Sequence, residues 1–235
     1  MNTCIDIAHN CFKPNLDKRP EIFGMNNQQR SRLNLMEEQL RQLLSSVSNK
    51  ELRELALALV QSNYYPVFCL APAALRYHHN YVGGLLEHSL GTAQIVVKMA
   101  ELHAEIDRDL ILMGAVLHDL GKIREMGFGP DIFYTDEGKL LGHIILGIQM
   151  VEDLMAGTSI ARVNRSKLLH MIASHHGQYE WHSPQKPQFI EAKILHLADM
   201  MDAEIWKFNA AQPSCEGSQW SAYIRSIGSE VYLER

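Results

Sequence analysis

The sequence predicts an all-α domain, and three observations carry that expectation. Apolar residues recur at helical spacing from Ser31 onward. No stretch reads as a convincing hairpin, and neither βαβ alternation nor an internal repeat occurs. The 235 residues, 46% of them hydrophobic, are enough to bury a core, which excludes a disordered or low-complexity chain.

Residues 1–30 are expected to form an N-terminal arm, because Pro14, Pro20 and Gly24 interrupt a stretch without a stable period. A helical domain is expected over 31–235. Its leading helices (31–62) are marked by Leu33, Met36, Leu40, Leu43 and Leu44, then by Leu52, Leu55, Leu59 and Val60. These leucines suit a core cap and a dimer surface equally well. A catalytic core (63–210) opens with an apolar connector punctuated by Pro66 and Pro72. Helices follow over Leu85–His103, after Gly83 and Gly84, and over Arg108–Gly121, which is apolar enough to be buried on most sides. Gly127, Gly129 and Pro130 mark a loop. Further helices are expected over Lys139–Met155, Arg165–His175 and Pro187–Asn209, and a C-terminal helical segment (211–235) includes Ser218–Glu230.

Charge and cysteine usage narrow the class. Lys and Arg total 22 against 27 for Asp and Glu, a net charge of −5, which argues against a basic nucleic-acid-coating module but permits a locally basic site. Cys4, Cys11, Cys69 and Cys215 form no CxxC pair, so neither a disulfide framework nor a zinc ribbon is indicated. With no apolar run of spanning length and no signal-type apolar core, a soluble cytoplasmic protein without a membrane partner is expected.

The chemistry gathers at five places. They are His88 in GGLLEHSLG, His118-Asp119 in AVLHDLGK, His143 in KLLGHIILG, His175-His176 in MIASHHGQ and Asp199 in ILHLADMMDA. Each polar group lies in an apolar helix or at its end, and burying one without a partner costs about 2–7 kcal/mol. That cost repeated in five helices makes sense if the groups converge on divalent metal. Imidazole with carboxylate suits Mn, Fe, Co, Ni or Zn. Five imidazoles and two carboxylates exceed the needs of one ion, so two ions bridged by Asp119 are the economical arrangement.

Lys122 falls three residues after Asp119, on the same predicted helical face, to pair with it or to hold a phosphate oxygen. Asp119 and Lys122 are therefore the candidate catalytic pair. Asp202 and His196, each three residues from Asp199, are candidates to support the ligands from behind. Tyr77, Tyr81 and Tyr134 join Lys122 as candidate substrate contacts, with core packing the competing reading for Tyr77 and Tyr81. The loop from Gly177 through Trp181 reads as a lid. A lone buried histidine is usually structural, but a His–Asp pair inside a buried helix is not. Asp107 and Asp109 read as the capped, solvent-facing start of a helix.

The chain resembles the HD-domain metal-dependent phosphohydrolase superfamily. His88, His118, Asp119 and Asp199 match its H…HD…D pattern, and His143, His175 and His176 match the expansion in two-metal members. YHHNYVGGLLEHSL, LHDLGKIRE, YTDEGKLLGHIILG, SHHGQ, LHLADMMDA and WSAYIRSIGSEVY are similar to the HD domain of the bacterial 3′→5′ exoribonuclease family, over about Asn63 to Tyr232. The resemblance implies an HD-domain helical bundle with a metal site between helices. It implies one ion on His88, His118, Asp119 and Asp199, and a second on Asp119, His143, His175 and His176. It also implies hydrolysis of single-stranded RNA or DNA from the 3′ end by a metal-activated water, with Mn the foremost metal. The OB-fold that precedes the HD domain in that family finds no room in the residues ahead of the motifs. Competing readings are a nucleotide or cyclic-dinucleotide phosphohydrolase, although the GYP signature of the cyclic-dinucleotide branch is missing, a di-iron oxygenase, and a metal-stabilised regulatory protein.

Overall fold

The computed structural model describes residues 25–75, 79–129 and 131–233. Nearly all of the expected arm and Tyr77 lie outside these residues. Among the described residues the first helix, α1 (Asn27–Ser45), begins ahead of the expected Ser31 because Asn26 and Gln29 form a capping box, each side chain accepting from the other's backbone N–H at 2.9 Å. The next, α2 (Lys50–Gln61), is capped by Asn49. The leucines of both helices turn inward: Leu33, Leu40, Leu44, Leu52, Leu55 and Leu59 are buried within this chain. They are a core cap, and that face is not open to a dimer partner.

The expected connector is partly a helix, α3 (Tyr64–Leu70). Pro66 sits in its first turn, where a missing N–H breaks no intrahelical bond, so the proline starts the helix rather than ending it. Two long elements follow, α4 (Gly84–Leu102) and α5 (Arg108–Leu117). Every residue of α5 from Asp109 to Leu117 is buried, making it the central rod of the bundle. Its first turn corrects one expectation. Asp107 caps the helix, but Asp109 is buried, and its Oδ2 accepts from the N–H of Ser48 at 2.8 Å, the Ser48 hydroxyl at 2.7 Å and the N–H of Asn49 at 2.7 Å. Asp109 thus ties the α1–α2 turn to the core.

The helix expected to continue to Gly121 stops at Leu117, and a short helix, α6 (Lys122–Glu125), restarts after a turn. The glycine-rich loop is an antiparallel hairpin of β1 (Met126–Phe128) and β2 (Ile132–Tyr134), in the register Met126 to Tyr134. With three residues a strand, it is too short for alternation to show in the sequence. Next come α7 (Asp136–Met155), capped by Thr135, α8 (Arg162–Ser174), a single 3₁₀ turn at Tyr179–Trp181, and α9 (Ile190–Asn209). α4, α8 and α9 pack around α5, and α6 packs on α7.

The segment after α9 is not the expected helix. Among the described residues it folds back through isolated bridges, Pro213 to Ser221, Trp220 to Tyr232 and Ile224 to Ser229, with Gly228 turning at φ +83°. Most of its side chains are exposed, so no apolar stripe is buried to favour a helix. Instead Trp220 packs on Tyr232 with ring centroids 5.0 Å apart. No helix among the described residues is long and apolar enough to cross a membrane.

Candidate metal centre

The five histidines and two aspartates arrive from α4, the α5–α6 turn, α7, the end of α8 and α9. His88 lies inside α4, fully buried. His118 is the C-cap of α5, and Asp119 stands in the turn that follows, so the break in the helix lets adjacent side chains serve one locus. His143 follows a fault in α7: Gly142 takes φ +70°, ψ 162°, a left-handed conformation that glycine adopts freely. The fault aims both the backbone N–H and Nδ1 of His143 at Glu125 Oε1, each at 3.1 Å. Glu125, which the sequence did not single out, is the anchor of that imidazole.

One rule governs all five rings: Nδ1 is tied to an acceptor. Nδ1 of His118 bonds the Ala115 carbonyl at 2.8 Å, that of His175 the Ile172 carbonyl at 2.7 Å, and that of His176 the Trp181 carbonyl at 2.8 Å. Nδ1 of His88 bonds Asp202 Oδ2 at 2.7 Å, and that of His143 bonds Glu125. A carbonyl or a carboxylate only accepts, so the proton resides on Nδ1, and in the neutral ring Nε2 presents a lone pair.

These lone pairs and the two carboxylates form two groups. In the first, His88 Nε2 lies 3.3 Å from His118 Nε2, 3.5 Å from Asp119 Oδ2 and 3.2 Å from Asp199 Oδ1, and His118 Nε2 lies 3.3 Å from Asp119 Oδ2. Donors about 2.0–2.2 Å from a common tetrahedral ion would stand roughly 3.3–3.6 Å apart, so the spacing fits a first-row divalent cation. In the second, ligand atoms of His143, His175 and His176 lie within 4.8 Å of one another, and Asp119 Oδ1 is 3.6 Å from Nε2 of both His143 and His175. Asp119 Oδ1 and His143 Nε2 are buried without a hydrogen bond. Two such atoms side by side, both acceptors, fit an ion between them. A third grouping, His79, His88 and Asp202, has contacts of 3.1 and 2.7 Å and is a hydrogen-bonded triad behind His88.

The electrostatics follow from burial and charge. Burial alone would raise the Asp119 carboxyl, but Lys122 and His118 hold it well below the usual carboxylate range. Lys122 Nζ is 2.6 Å from Asp119 Oδ2, and although burial works against its charge, this partner raises its pKa. Burial, aided by neighbouring imidazoles, pushes His175 and His176 down, which keeps them neutral. His88 goes the other way: burial would lower it, but bonds with Asp199 and Asp202 raise it to about 9.

Asp119, Lys122, His175, His176 and Asp199 line a cavity of about 270 Å³, together with Trp181, His196, Met200 and Ala203. Two candidate contacts are elsewhere. The Tyr81 hydroxyl is held between His79 Nδ1 and Glu87 Oε2, both at 2.9 Å, in the support behind His88. Tyr134 sits exposed on β2 and does not line the cavity. His196 reaches the His175 carbonyl at 2.8 Å, not a ligating ring. The sequence carried no periodic signal for His79 or Glu125, because their partners Asp202 and His143 lie 123 and 18 residues away along the chain.

The HD domain family model matches residues 85–204. The chain is 36% identical over 170 residues to the 3′-5′ exoribonuclease YhaM of Listeria monocytogenes, covering 72% of this chain and 54% of that protein. It is 37% identical over 204 residues to the protein of that name from Bacillus velezensis, and 32% identical over 204 residues to that of Shouchella clausii. Those matches cover 86% of this chain and 64% and 63% of the relatives, so the chain spans a little over half to under two thirds of their length. No solved structure matches the chain.

Proposed function

Because the chain belongs to the HD-domain family, we propose that it hydrolyses phosphodiester bonds with the help of two divalent cations, removing nucleotides from the 3′ end of short single-stranded RNA. The observation that carries this reading is the orientation of Asp119, with Oδ2 among His88, His118 and Asp199 and Oδ1 beside His143 and His175. That placement supports Asp119 as the shared ligand, with His88, His118 and Asp199 completing one site and His143, His175 and His176 the other. Mn is the foremost candidate, and Fe, Co, Ni and Zn accept the same donors. Bound there, two cations supply Lewis-acid polarisation of phosphoryl oxygens and a more acidic attacking water.

The chain's own groups do the positioning. Nδ1 anchoring prevents the imidazoles from turning away. Lys122, in the cavity wall beside Asp119, is placed to meet a non-bridging phosphate oxygen as negative charge accumulates there. Among the described residues that line the cavity none is a serine or cysteine. The cavity volume of about 270 Å³ falls just below the range of ligand pockets, about 300–1,000 Å³, which suits one terminal nucleotide better than the middle of a strand. The sparse cysteines without a CxxC pair support a cytoplasmic setting.

The test is a time course with 5′-labelled single-stranded RNA and Mn²⁺, beside the His118→Ala, Asp119→Ala double variant. A ladder shortening from the 3′ end in the wild type alone is expected. Intact RNA in both lanes overturns the reading and directs attention to phosphate release from small nucleotides.

A further inference from the structure

The lining of the cavity holds one more built group, His196. It lies on α9, three residues before Asp199, and is 2% exposed. Its Nδ1 donates to the His175 carbonyl oxygen at 2.8 Å. In the neutral ring Nε2 is therefore a lone pair, and it has no hydrogen-bond or ionic partner among the described residues.

The ring cannot swing to find one. It rests directly on Gly177, where an added Cβ would stand 2.3–2.4 Å from Cε1, Nδ1 and Nε2, and where φ is +79°. Beyond it stands the Trp181 indole, with centroids 5.9 Å apart and planes inclined by 35°. A carbonyl, a glycine and an indole thus hold an acceptor against the cavity.

His196 also belongs to neither ligand group, since its Nε2 is not among the atoms that converge on Asp119. An acceptor in this position repels phosphate oxygens, which are acceptors too, and attracts a hydroxyl. Asp119, Lys122 and the metal-facing histidines line the same cavity and suit the phosphate, and the group next to phosphate in a nucleotide is the sugar.

We propose that His196 Nε2 accepts a hydrogen bond from a sugar hydroxyl of the nucleotide in the cavity, making it a specificity-determining residue, with half-exposed Trp181 as the stacking face for the base. This rests on the reading that the cavity takes a nucleotide end. A terminal ribonucleotide carries two candidate hydroxyls, 2′ and 3′, and the same chemistry serves either. Trp181, 50% exposed, offers a ring face to any base, so recognition would be of the sugar rather than of base identity.

The test is calorimetric titration of the full chain, loaded with Mn²⁺, with AMP, 2′-deoxy-AMP and 3′-deoxy-AMP. Wild type is expected to bind AMP about five- to tenfold more tightly than the analogue lacking the hydroxyl read by His196. The analogue that weakens identifies that hydroxyl. His196→Phe keeps a ring against Gly177 and Trp181 but lacks the acceptor, and is expected to bind all three ligands alike, at the weaker level. His196→Gln, which regains an acceptor, is expected to restore part of the preference. Should the phenylalanine variant lose its cooperative melt, His196→Leu carries the same comparison. Wild type binding all three within twofold overturns the proposal, as does undiminished preference in an acceptor-free variant. Intact RNA in the shortening assay together with preserved AMP preference removes the trimming reading and leaves this one standing. Failure of all three nucleotides to bind removes this one, whatever happens to RNA.

Discussion

Asp202→Asn isolates the support behind His88. Asp202 Oδ2 accepts from Nδ1 of His88 at 2.7 Å and from Nε2 of His79 at 3.1 Å, with 16% of its side chain exposed. Burial alone would raise this carboxyl, but bonds from His79 and His88 bring it from 3.8 down to about 2, a preference for the anion of about 2 kcal/mol. An amide has the same shape but is neutral, so its oxygen accepts from the two imidazoles more weakly than the carboxylate does. His88 is then less firmly aimed. Loss of such support typically weakens metal binding about 10–100-fold, and that loss in Mn²⁺ affinity is expected by calorimetry. The pH dependence has a definite sign. A carboxyl held below its ordinary value stabilises the fold above pH 3.8 and ceases to do so as pH falls toward about 2. The metal-free wild type should lose about 2 kcal/mol across that window, and the asparagine variant less. A variant that melts cooperatively and binds Mn²⁺ within twofold of wild type would refute the reasoning.

Gly91→Ala should reach the same support by another route, since its Cβ would stand 2.2 Å from Asp202 Oδ1; we expect weaker Mn²⁺ binding by titration and about 1–3 kcal/mol of destabilisation by urea melt. Asp109→Ala removes the acceptor of two backbone N–H groups and should cost about 3 kcal/mol in urea at pH 7. Burial opposes ionisation of Asp109, but its bonds to Asn49 and Ser48 lower the pKa, so its contribution fades below pH 3.8 and the penalty at pH 2 should be smaller. Metal-free His88, raised to about 9, holds a proton at pH 7.5; calorimetry in buffers of unlike ionisation enthalpy should show about one proton released from this residue on Mn²⁺ binding, and none above pH 10. Chelation should lower the melting temperature, and Mn²⁺ at 100 times its Kd should raise it by about 5–10 °C; no change with either refutes binding of Mn²⁺ to the native state.

What the sequence determined by itself is local. Helical spacing of leucines marks α1, α2 and α4 because a helix repeats its buried face every 3.6 residues, whatever lies beyond it. The ligand types were equally legible, since imidazole and carboxylate amid Val, Leu and Ala stand out wherever the helix is buried. Boundaries were legible in part: Asp107 marks the start of α5 and the glycine pair that of α4, whereas α7 starts three residues ahead of the expected Lys139. The tertiary structure decided the rest. Asp202 meets His88 across 114 residues, and Glu125 meets His143 only because α7 breaks at Gly142. At His88, His143 and His196, which nitrogen carries the proton, and so which lone pair faces a cation or a sugar, depends on such distant acceptors. The end of the chain lost its expected helix for a related reason: with most of its side chains exposed, the contact between Trp220 and Tyr232 had no buried helical face to compete with. Periodicity describes one element at a time, whereas the orientation of an imidazole is settled by the neighbours that packing brings to it.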